Sequence, residues 1–327
     1  MSTKSPVFMF GSARSGTSLL SRIVGSHPNI AVPFESQLYN TFYPWLKYYG
    51  DLNVEKNRKR LVRDILSTED LLDWTPRANE TDTLTAIERN DFHGVVDALI
   101  TEWAKQSGKN RWGEKTPWHI FYWKEILEGF PDMKVIHIVR DGRDSSLSWR
   151  SARFGPKHIY FLAKRWRDYL EHVEKMKQQL NPGQFLEIRY EDLLDDPEGV
   201  THKICDFIEE EFSTDMLSFY REKVPYPTDV QNLSNLTQPL IRDNKNKWKE
   251  KMTSDEVRMF EAIAGEMLEK HGYERTLKSP TISSSEVFKI KYLEHPFARL
   301  FSVLKNTKGQ REALRLWWIY LKLRLGL

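Results

Sequence analysis

The sequence predicts an α/β protein with a P-loop-like, three-layer fold, in which a central, mainly parallel sheet is flanked by helices. Three observations predict it. Short apolar runs alternate along the chain with segments of helical spacing, the order that builds parallel sheets. Val7–Phe10 runs directly into a glycine loop and then into a helix-like segment. Lys134–Val139, the clearest strand, ends in the turn 140–143 before another helix.

The other elements follow in order. Residues 30–34 form a second strand candidate with Glu35 at its end, and residues 36–108 have mostly helical spacing. Residues 112–115 form a further short strand candidate. A long helix over 159–179 ends at the turn 181–183, and the alternation at 185–190 predicts another strand.

The last third of the chain is predicted to be helical with a loop-rich interruption. A helix starts at Asp196-Pro197 and reaches residue 208, since proline is tolerated in a first helical turn. Residues 213–250 read as loops. The next helix covers 254–271, with Ser254 as its N-cap and Gly272 as its end. We therefore expect one domain over 1–275, with a helical insertion at 36–110, and an extension over 276–327 that carries a basic amphipathic helix.

Composition excludes several classes of protein. The 327 residues are 40% apolar and 29% charged, which is typical of globular chains and not of disordered ones. A net charge of +3 gives no indication of nucleic-acid binding. Cys205 is the single cysteine, which fits a reducing compartment. The first residues resemble neither a signal peptide nor a membrane span, so a cytoplasmic location is expected.

The glycine loop 11–18 predicts an anion site. Backbone N–H groups at a helix start favour negative charge, Arg14 adds a fixed cation, and Ser15, Thr17 and Ser18 add hydroxyl groups. The spacing also fits a nucleotide triphosphatase loop, but Thr17 stands where that loop needs lysine. A strand–helix turn that binds no ligand is the other alternative.

A second anion site is predicted at the end of the strand 134–139. Arg140 lies at the carboxyl end of that strand, where open α/β sheets bind ligands, and Ser148 follows eight residues later on the next helix. The arginine and the hydroxyl can both bind one phosphate. The alternatives are ordinary structural roles: Arg140 could form an ion pair with an aspartate or glutamate, and Ser148 could be an ordinary helix residue.

Together the segments 10–20 and 134–148 resemble the two donor-binding motifs of sulfotransferases that use 3′-phosphoadenosine 5′-phosphosulfate (PAPS), in the bacterial and tyrosylprotein-sulfotransferase-like branch. The resemblance covers about residues 5–275 and implies a PAPS-dependent enzyme. It places the 5′-phosphosulfate at the loop and the 3′-phosphate at Arg140 and Ser148. The donor residues that it implies are Arg14, Ser15, Gly16, Thr17, Ser18, Arg140, Ser148, Tyr190 and Lys247. A packed tyrosine and a solvated lysine are the alternatives for the last two positions.

The resemblance also implies the catalytic residues. Glu35 matches the base of the tyrosylprotein-like branch, and Arg14 with Lys115 would stabilise the charge on the leaving group. Cytosolic members carry a histidine base where this chain has Pro117, and His119 is out of register. Ser234 is a loose match for a residue near the transferred group. Fixed cations and N–H donors suffice for this reaction, so no metal is expected.

The acceptor and the partners are less defined. Residues 36–110 are expected on the acceptor side, where the aromatic residues of 39–49 would form either a pocket wall or core. A carbohydrate, lipid or other small-molecule acceptor fits the resemblance. The C-terminal face formed by Leu314, Trp317, Trp318, Leu321 and Leu325 with nearby basic residues suits a membrane surface. Docking on the domain itself or on a second subunit of a homo-oligomer is the alternative.

Two other functions are compatible with these observations. One is a nucleotide kinase or NTPase with an altered loop. The other is a membrane-associated adaptor that binds a nucleotide without turnover, which the retention of Glu35 and Lys115 disfavours.

Overall fold

A parallel five-stranded sheet forms the centre of the computed structural model, which describes residues 5–152, 155–221, 233–294 and 307–325. The strands are β1 (Val7–Phe10), β2 (Ile30–Ala31), β3 (Arg111–Glu114), β4 (Lys134–Val139) and β5 (Phe185–Arg189). Their order is β2-β3-β1-β4-β5, and every neighbouring pair is parallel. The predicted α/β class and its parallel sheet are therefore confirmed.

Helices cover the sheet on both sides. The α-helices are α1 (Thr17–Gly25), α2 (Leu38–Phe42), α3 (Glu55–Leu66), α4 (Glu69–Leu72), α5 (Glu80–Ala86), α6 (Phe92–Gln106), α7 (Trp123–Gly129), α8 (Gly142–Arg150), α9 (Ile159–Lys177), α10 (Tyr190–Asp195), α11 (Pro197–Ile208), α12 (Trp248–Lys251), α13 (Ser254–Lys270), α14 (Ser284–Lys289) and α15 (Thr307–Leu325). Short 3₁₀ turns at Tyr43–Tyr48 and Pro117–Tyr122 continue α2 and precede α7. Among the described residues, no helix has the length and apolarity needed to cross a membrane.

Two apolar clusters lie on opposite faces of the sheet because side chains alternate along each strand. Phe8 and Phe10 of β1 join one cluster, whereas Val7 and Met9 join the other. The strands are almost completely buried, as expected for a parallel sheet covered on both faces. This arrangement brings the carboxyl ends of β1, β3 and β4 to one edge, where the candidate loops lie.

Two boundary predictions needed correction and a third was confirmed. The second strand is only Ile30–Ala31, because the chain leaves the sheet before Pro33. The N-cap of α13 is Thr253 and not Ser254: Thr253 and Glu256 form a reciprocal capping box. Gly272, with φ of +76°, does follow the end of that helix.

The C-terminal helix α15 docks on the domain through a face that the sequence did not single out. Ile319 and Leu323 are buried, Tyr320 stacks on Trp45 with ring centroids 4.2 Å apart, and its hydroxyl donates to the Thr41 carbonyl at 2.7 Å. The predicted apolar face instead contains the exposed residues Leu314, Trp317, Trp318 and Leu325. The docking alternative is thus correct for one side of this helix.

Candidate active site

A cavity of about 750 Å³ opens at the carboxyl edge of the sheet, within the size range of small-molecule sites. The loops after β1, β2 and β4 contribute to it. Nine of the sequence-predicted residues line it: Arg14, Gly16, Thr17, Ser18, Glu35, Arg140, Ser148, Tyr190 and Lys247. Of the remaining two, Ser15 is buried beside the cavity, with its hydroxyl 3.3 Å from that of Ser145, and Lys115 reaches the cavity residue Glu35.

The loop between β1 and α1 is held in a defined shape. The Ser15 N–H donates to the Ser12 carbonyl at 3.0 Å, and the Gly11 N–H donates to the buried Tyr169 hydroxyl at 2.9 Å. Gly16 has φ of +93°, and a Cβ there would come within 2.4 Å of the Tyr190 ring. Glycine is therefore required at position 16 for both conformation and space. The closed turn leads directly into α1, whose first N–H groups favour an anion.

Two arginines from separate loops converge on this cavity. The Arg14 Nε donates to the Ser148 hydroxyl at 3.1 Å, which joins the first motif to the second. Burial, and then the like charge of Arg140, lower the pKa of Arg14. A bound anion would offset both effects, because it screens the repulsion and replaces lost hydration.

Arg140 is suited to binding a phosphate. Its guanidinium donates to the carbonyls of Arg14 at 3.2 Å and Asn244 at 2.8 Å, and it lies 4.4 Å from the centroid of the Tyr190 ring. Its Nε is buried and has no hydrogen-bond partner among the described residues. A buried donor of this kind costs free energy unless a ligand pairs with it. The site therefore fits a phosphate-bearing group.

Tyr190 and Lys247 lie on opposite sides of Asn244. The Asn244 amide donates to the Tyr190 hydroxyl at 2.8 Å, and the Lys247 ammonium donates to the Asn244 side-chain oxygen at 2.9 Å. Sequence reasoning missed Asn244, because its role depends on a loop fold that no motif encodes. Its links to Tyr190 and Arg140 set the position of the loop over the cavity.

Glu35 and Lys115 form a close ion pair at the other side of the loop. The Lys115 Nζ lies 2.5 Å from Glu35 Oε1. The Lys115 side chain is 2% exposed and the Glu35 side chain is 23% exposed. The Gln37 amide donates to the second carboxylate oxygen, Oε2, at 3.1 Å. The carboxylate is thus fixed in position while part of it faces the cavity. Lys115 therefore pairs with Glu35 and not with its neighbour in sequence, Glu114, whose carboxylate is bound by Thr116 and Ser36.

His119 is part of the structural support and does not line the cavity. It is fully buried, its Nδ1 lies 3.0 Å from Glu114 Oε2, and its Nε2 lies 3.3 Å from the Tyr39 backbone nitrogen. Glu114 also accepts hydrogen bonds from the hydroxyls of Thr116 at 2.6 Å and Ser36 at 2.9 Å. This buried carboxylate connects β3 to the residue after Glu35. A histidine base is therefore disfavoured by the structure.

Other candidates have roles away from the cavity. The aromatic residues at 39–49 belong to or pack against the core, so the pocket-wall alternative is wrong for them. The side chain of Ser234 lies outside the described residues. Glu174, Glu187 and His271 bring potential metal ligands within 4.8 Å of one another, and none of the three lines the cavity. The absence of a metal at the active site stays a prediction.

Comparisons with known proteins identify the family of the chain. The model of the sulfotransferase family matches residues 6–214, which is more than half of the chain. An "uncharacterized protein" of Aquifex aeolicus is 27% identical over 262 residues, which cover 76% of this chain. The omega-hydroxy-beta-dihydromenaquinone-9 sulfotransferase Stf3 of Mycobacterium tuberculosis is 24% identical over 51% of this chain. The chain spans 31% and 42% of the lengths of these two relatives.

A solved structure supports the fold. The sulfotransferase domain of the Synechococcus PCC 7002 olefin synthase superposes with a TM-score of 0.56 at 20% identity. The match covers 81% of this chain and 97% of that domain. At this identity the similarity establishes the three-layer architecture alone. The chemistry of the site has to be inferred from the residues that line the cavity.

Proposed function

Since the chain belongs to the sulfotransferase family and carries a PAPS-dependent sulfotransferase domain, we propose that it sulfates an acceptor hydroxyl with Glu35 as the base. One observation carries the proposal about the base. The Glu35 carboxylate is fixed by Lys115 and Gln37 at the edge of the cavity that Arg14 and Arg140 also line. No feature of the described residues favours the kinase or the adaptor alternative.

The donor residues are proposed from the same cavity. Arg14 with the loop residues Ser15, Gly16, Thr17 and Ser18 would bind the 5′-phosphosulfate. Arg140 and Ser148 would bind the 3′-phosphate, because Arg140 keeps an unpaired buried donor and Ser148 presents its hydroxyl beside Arg14. Tyr190 would contact the nucleotide, and Lys247 would approach the phosphates from the loop above.

The chain's own residues then have distinct tasks in the reaction. PAPS supplies the sulfuryl group, and its 5′-phosphate is the leaving group. Glu35 accepts the proton of the acceptor hydroxyl, which makes that oxygen a better nucleophile. Arg14 and Lys115 are preorganised cations whose charge opposes the negative charge that develops on the leaving side. Lys115 also fixes the orientation of Glu35 before the acceptor arrives.

Glu35→Gln tests the proposed base, because glutamine keeps the shape and an oxygen for Lys115 but cannot accept the proton. We expect kcat to fall by roughly 10²- to 10⁴-fold, the usual contribution of a general base. The rate of formation of 3′-phosphoadenosine 5′-phosphate (PAP) with a panel of hydroxyl acceptors measures it. The affinity for PAP, measured by calorimetry, should stay unchanged. A variant with wild-type kcat would exclude Glu35 as the base.

The acceptor is proposed to be a carbohydrate, a lipid or another small molecule that enters beside Glu35. Phe34, Pro117, Trp118 and Trp149 give that part of the cavity an aromatic, largely apolar wall. Such a wall suits an acceptor with a flat or apolar body. The relative Stf3, whose name specifies a menaquinone derivative, is consistent with this class. The helical region 36–110 contributes Gln37 to this side of the cavity.

We also propose that α15 contacts an anionic membrane surface. Leu314, Trp317 and Trp318 are more than half exposed on its outer side, and Lys322 lies over the Trp318 ring at 5.5 Å. Exposed tryptophan beside basic residues suits the interface of a lipid bilayer. A location at the cytoplasmic side of a membrane would follow.

Vesicle sedimentation tests the membrane contact. The wild type should sediment with vesicles containing phosphatidylglycerol, less with pure phosphatidylcholine, and less at high salt. Replacing both Trp317 and Trp318 by serine should abolish sedimentation, whereas Phe288→Ser, an exposed aromatic on α14, serves as the control. Equal sedimentation of the two variants would contradict the proposal.

A further inference from the structure

Arg165 of α9 is a cation that the donor-binding and catalytic roles do not use. It lines the same cavity, half-buried, and its guanidinium contacts two indole rings, 4.5 Å from the centroid of Trp118 and 4.3 Å from that of Trp149. Among the described residues, no carboxylate or other hydrogen-bond acceptor contacts this guanidinium. Nothing within the described part of the chain therefore neutralises its charge directly.

The two indoles determine how this cation can bind a ligand. Both contacts are with ring faces, which accept no conventional hydrogen bond, so the N–H groups of the guanidinium remain available to a polar partner. A guanidinium edge presents parallel donors that match the two oxygens of a carboxylate or a phosphate. Stacking also holds the group in place, so little conformational freedom is lost on binding.

The position of Arg165 indicates the acceptor side of the cavity. Trp118 follows directly on Pro117, in the segment that starts at Lys115. Burial raises the pKa of the nearby Tyr169 hydroxyl; the charge of Glu35 adds to the rise and the charge of Arg165 opposes it. Glu35 and Arg165 are thus both close enough to the same tyrosine to affect its pKa. The pKa of Arg14, on the donor side, is instead lowered by burial and by the charge of Arg140.

We propose that Arg165 recognises an anionic group on the acceptor, so that the acceptor is a hydroxyl compound with a carboxylate or a phosphate on an apolar or aromatic body. This rests on the proposed sulfuryl transfer and names the substrate class for it. Glu35 binds the hydroxyl end, Trp118 contacts the apolar body, and Arg165 pairs with the anionic oxygens. The hydroxyl is thereby oriented toward the base.

Matched acceptor pairs test this proposal on the full-length protein. 4-Hydroxyphenylacetate against 4-hydroxyphenylacetamide tests a carboxylate, and 4-hydroxybenzylphosphonate against its diethyl ester tests a phosphate-like group. PAP formation from PAPS gives kcat/KM for each compound. For at least one pair the acid should be better by roughly tenfold to a hundredfold, the range of a charge-assisted pair. Arg165→Gln should remove this preference through KM, and Arg165→Lys should restore part of it.

Arg167→Gln is the matched control, because Arg167 lies on the same helix but pairs with Asp168 and Glu171 outside the cavity. It should keep the preference for the acid. No preference for either acid in the wild type, or a preference that survives in Arg165→Gln, would overturn the proposal. So would a loss of PAP affinity in Arg165→Gln, since it would assign the residue to the donor. Failure of the wild type itself to bind PAP would instead contradict the sulfotransferase assignment.

Discussion

Replacing Glu114 by glutamine removes a buried charge that supports the catalytic segment without touching the cavity. Glu114 is 2% exposed and accepts side-chain hydrogen bonds from three groups, at 2.6, 2.9 and 3.0 Å. Glutamine keeps one acceptor oxygen but turns an NH₂ group toward one of the donors. Since a hydrogen bond to a charged group contributes about 1.5–3 kcal/mol, losing one or two of them should cost about 2–5 kcal/mol of unfolding free energy.

The same change should lower activity. The Ser36 N–H donates to the Thr116 hydroxyl, and the Ser36 hydroxyl donates to Glu114, so the residue after Glu35 is fixed by this network. A small displacement of the base should reduce kcat by roughly 10²-fold, as misplacement of a reacting group by about 1 Å can. The affinity for PAP should change little, because Glu114 contacts none of the donor residues.

The pH dependence of stability provides a separate readout. Burial alone would raise the pKa of Glu114, but the charge of His119 and the hydrogen bonds from the three donors hold it below its usual value. A lowered carboxyl pKa contributes stability that is fully present above the unfolded-state value near 4.5 and is lost as the pH falls below it. Glu114→Gln should therefore lose stability at neutral pH and show a flatter acid dependence.

Urea unfolding followed by tryptophan fluorescence at several pH values measures the change. Glu128→Gln is the control, because Glu128 is exposed on α7, and its unfolding free energy should stay within about 0.5 kcal/mol of the wild type. Wild-type stability and kcat in Glu114→Gln would refute the argument that this carboxylate positions Glu35.

Three further changes address the cavity and the buried His137 of β4. Gly16→Ala should weaken PAP binding and lower the melting temperature, by calorimetry, because the new Cβ meets Tyr190 at 2.4 Å in a left-handed conformation. Lys115→Met should lower kcat by roughly 10²- to 10³-fold in the PAP-formation assay while leaving PAP affinity near the wild-type value, since Lys115 acts on the leaving side. Burial lowers the pKa of His137 although Glu187 opposes this shift, so stability should fall as the pH drops below about 6.5, and His137→Asn should remove that part of the dependence in urea unfolding.

Much of the donor half of the site could be predicted because its signals are local. The strand Lys134–Val139 is a continuous apolar run, and Arg140 follows it directly. The loop before α1 has its glycine where the backbone needs a positive φ. Each of these features depends on neighbours in sequence, so spacing alone brings Arg14, Arg140 and Ser148 to one edge of a parallel sheet.

The remaining features depend on contacts between distant segments. Lys115 pairs with a residue 80 positions away and not with the adjacent Glu114, because the strand turns the two side chains in opposite directions. For α15 the sequence offers apolar residues on more than one side, and which side docks depends on Trp45, far earlier in the chain. The sequence also did not predict a role for Arg165, because a single arginine in a helix is common. Its environment depends on Trp118 and Trp149, which belong to other elements.

Isothermal titration with PAP, in the absence of metal, tests whether the cavity binds the donor nucleotide. We expect PAP to bind without metal and much more tightly than adenosine 5′-phosphate, which lacks the 3′-phosphate, and we expect this affinity to fall sharply in Arg140→Ala. Ser148→Ala, with a smaller side-chain change, should reduce the affinity less. No binding of PAP by the wild type, or tighter binding of Mg-ATP than of PAP, would contradict the assignment of this cavity as a PAPS site.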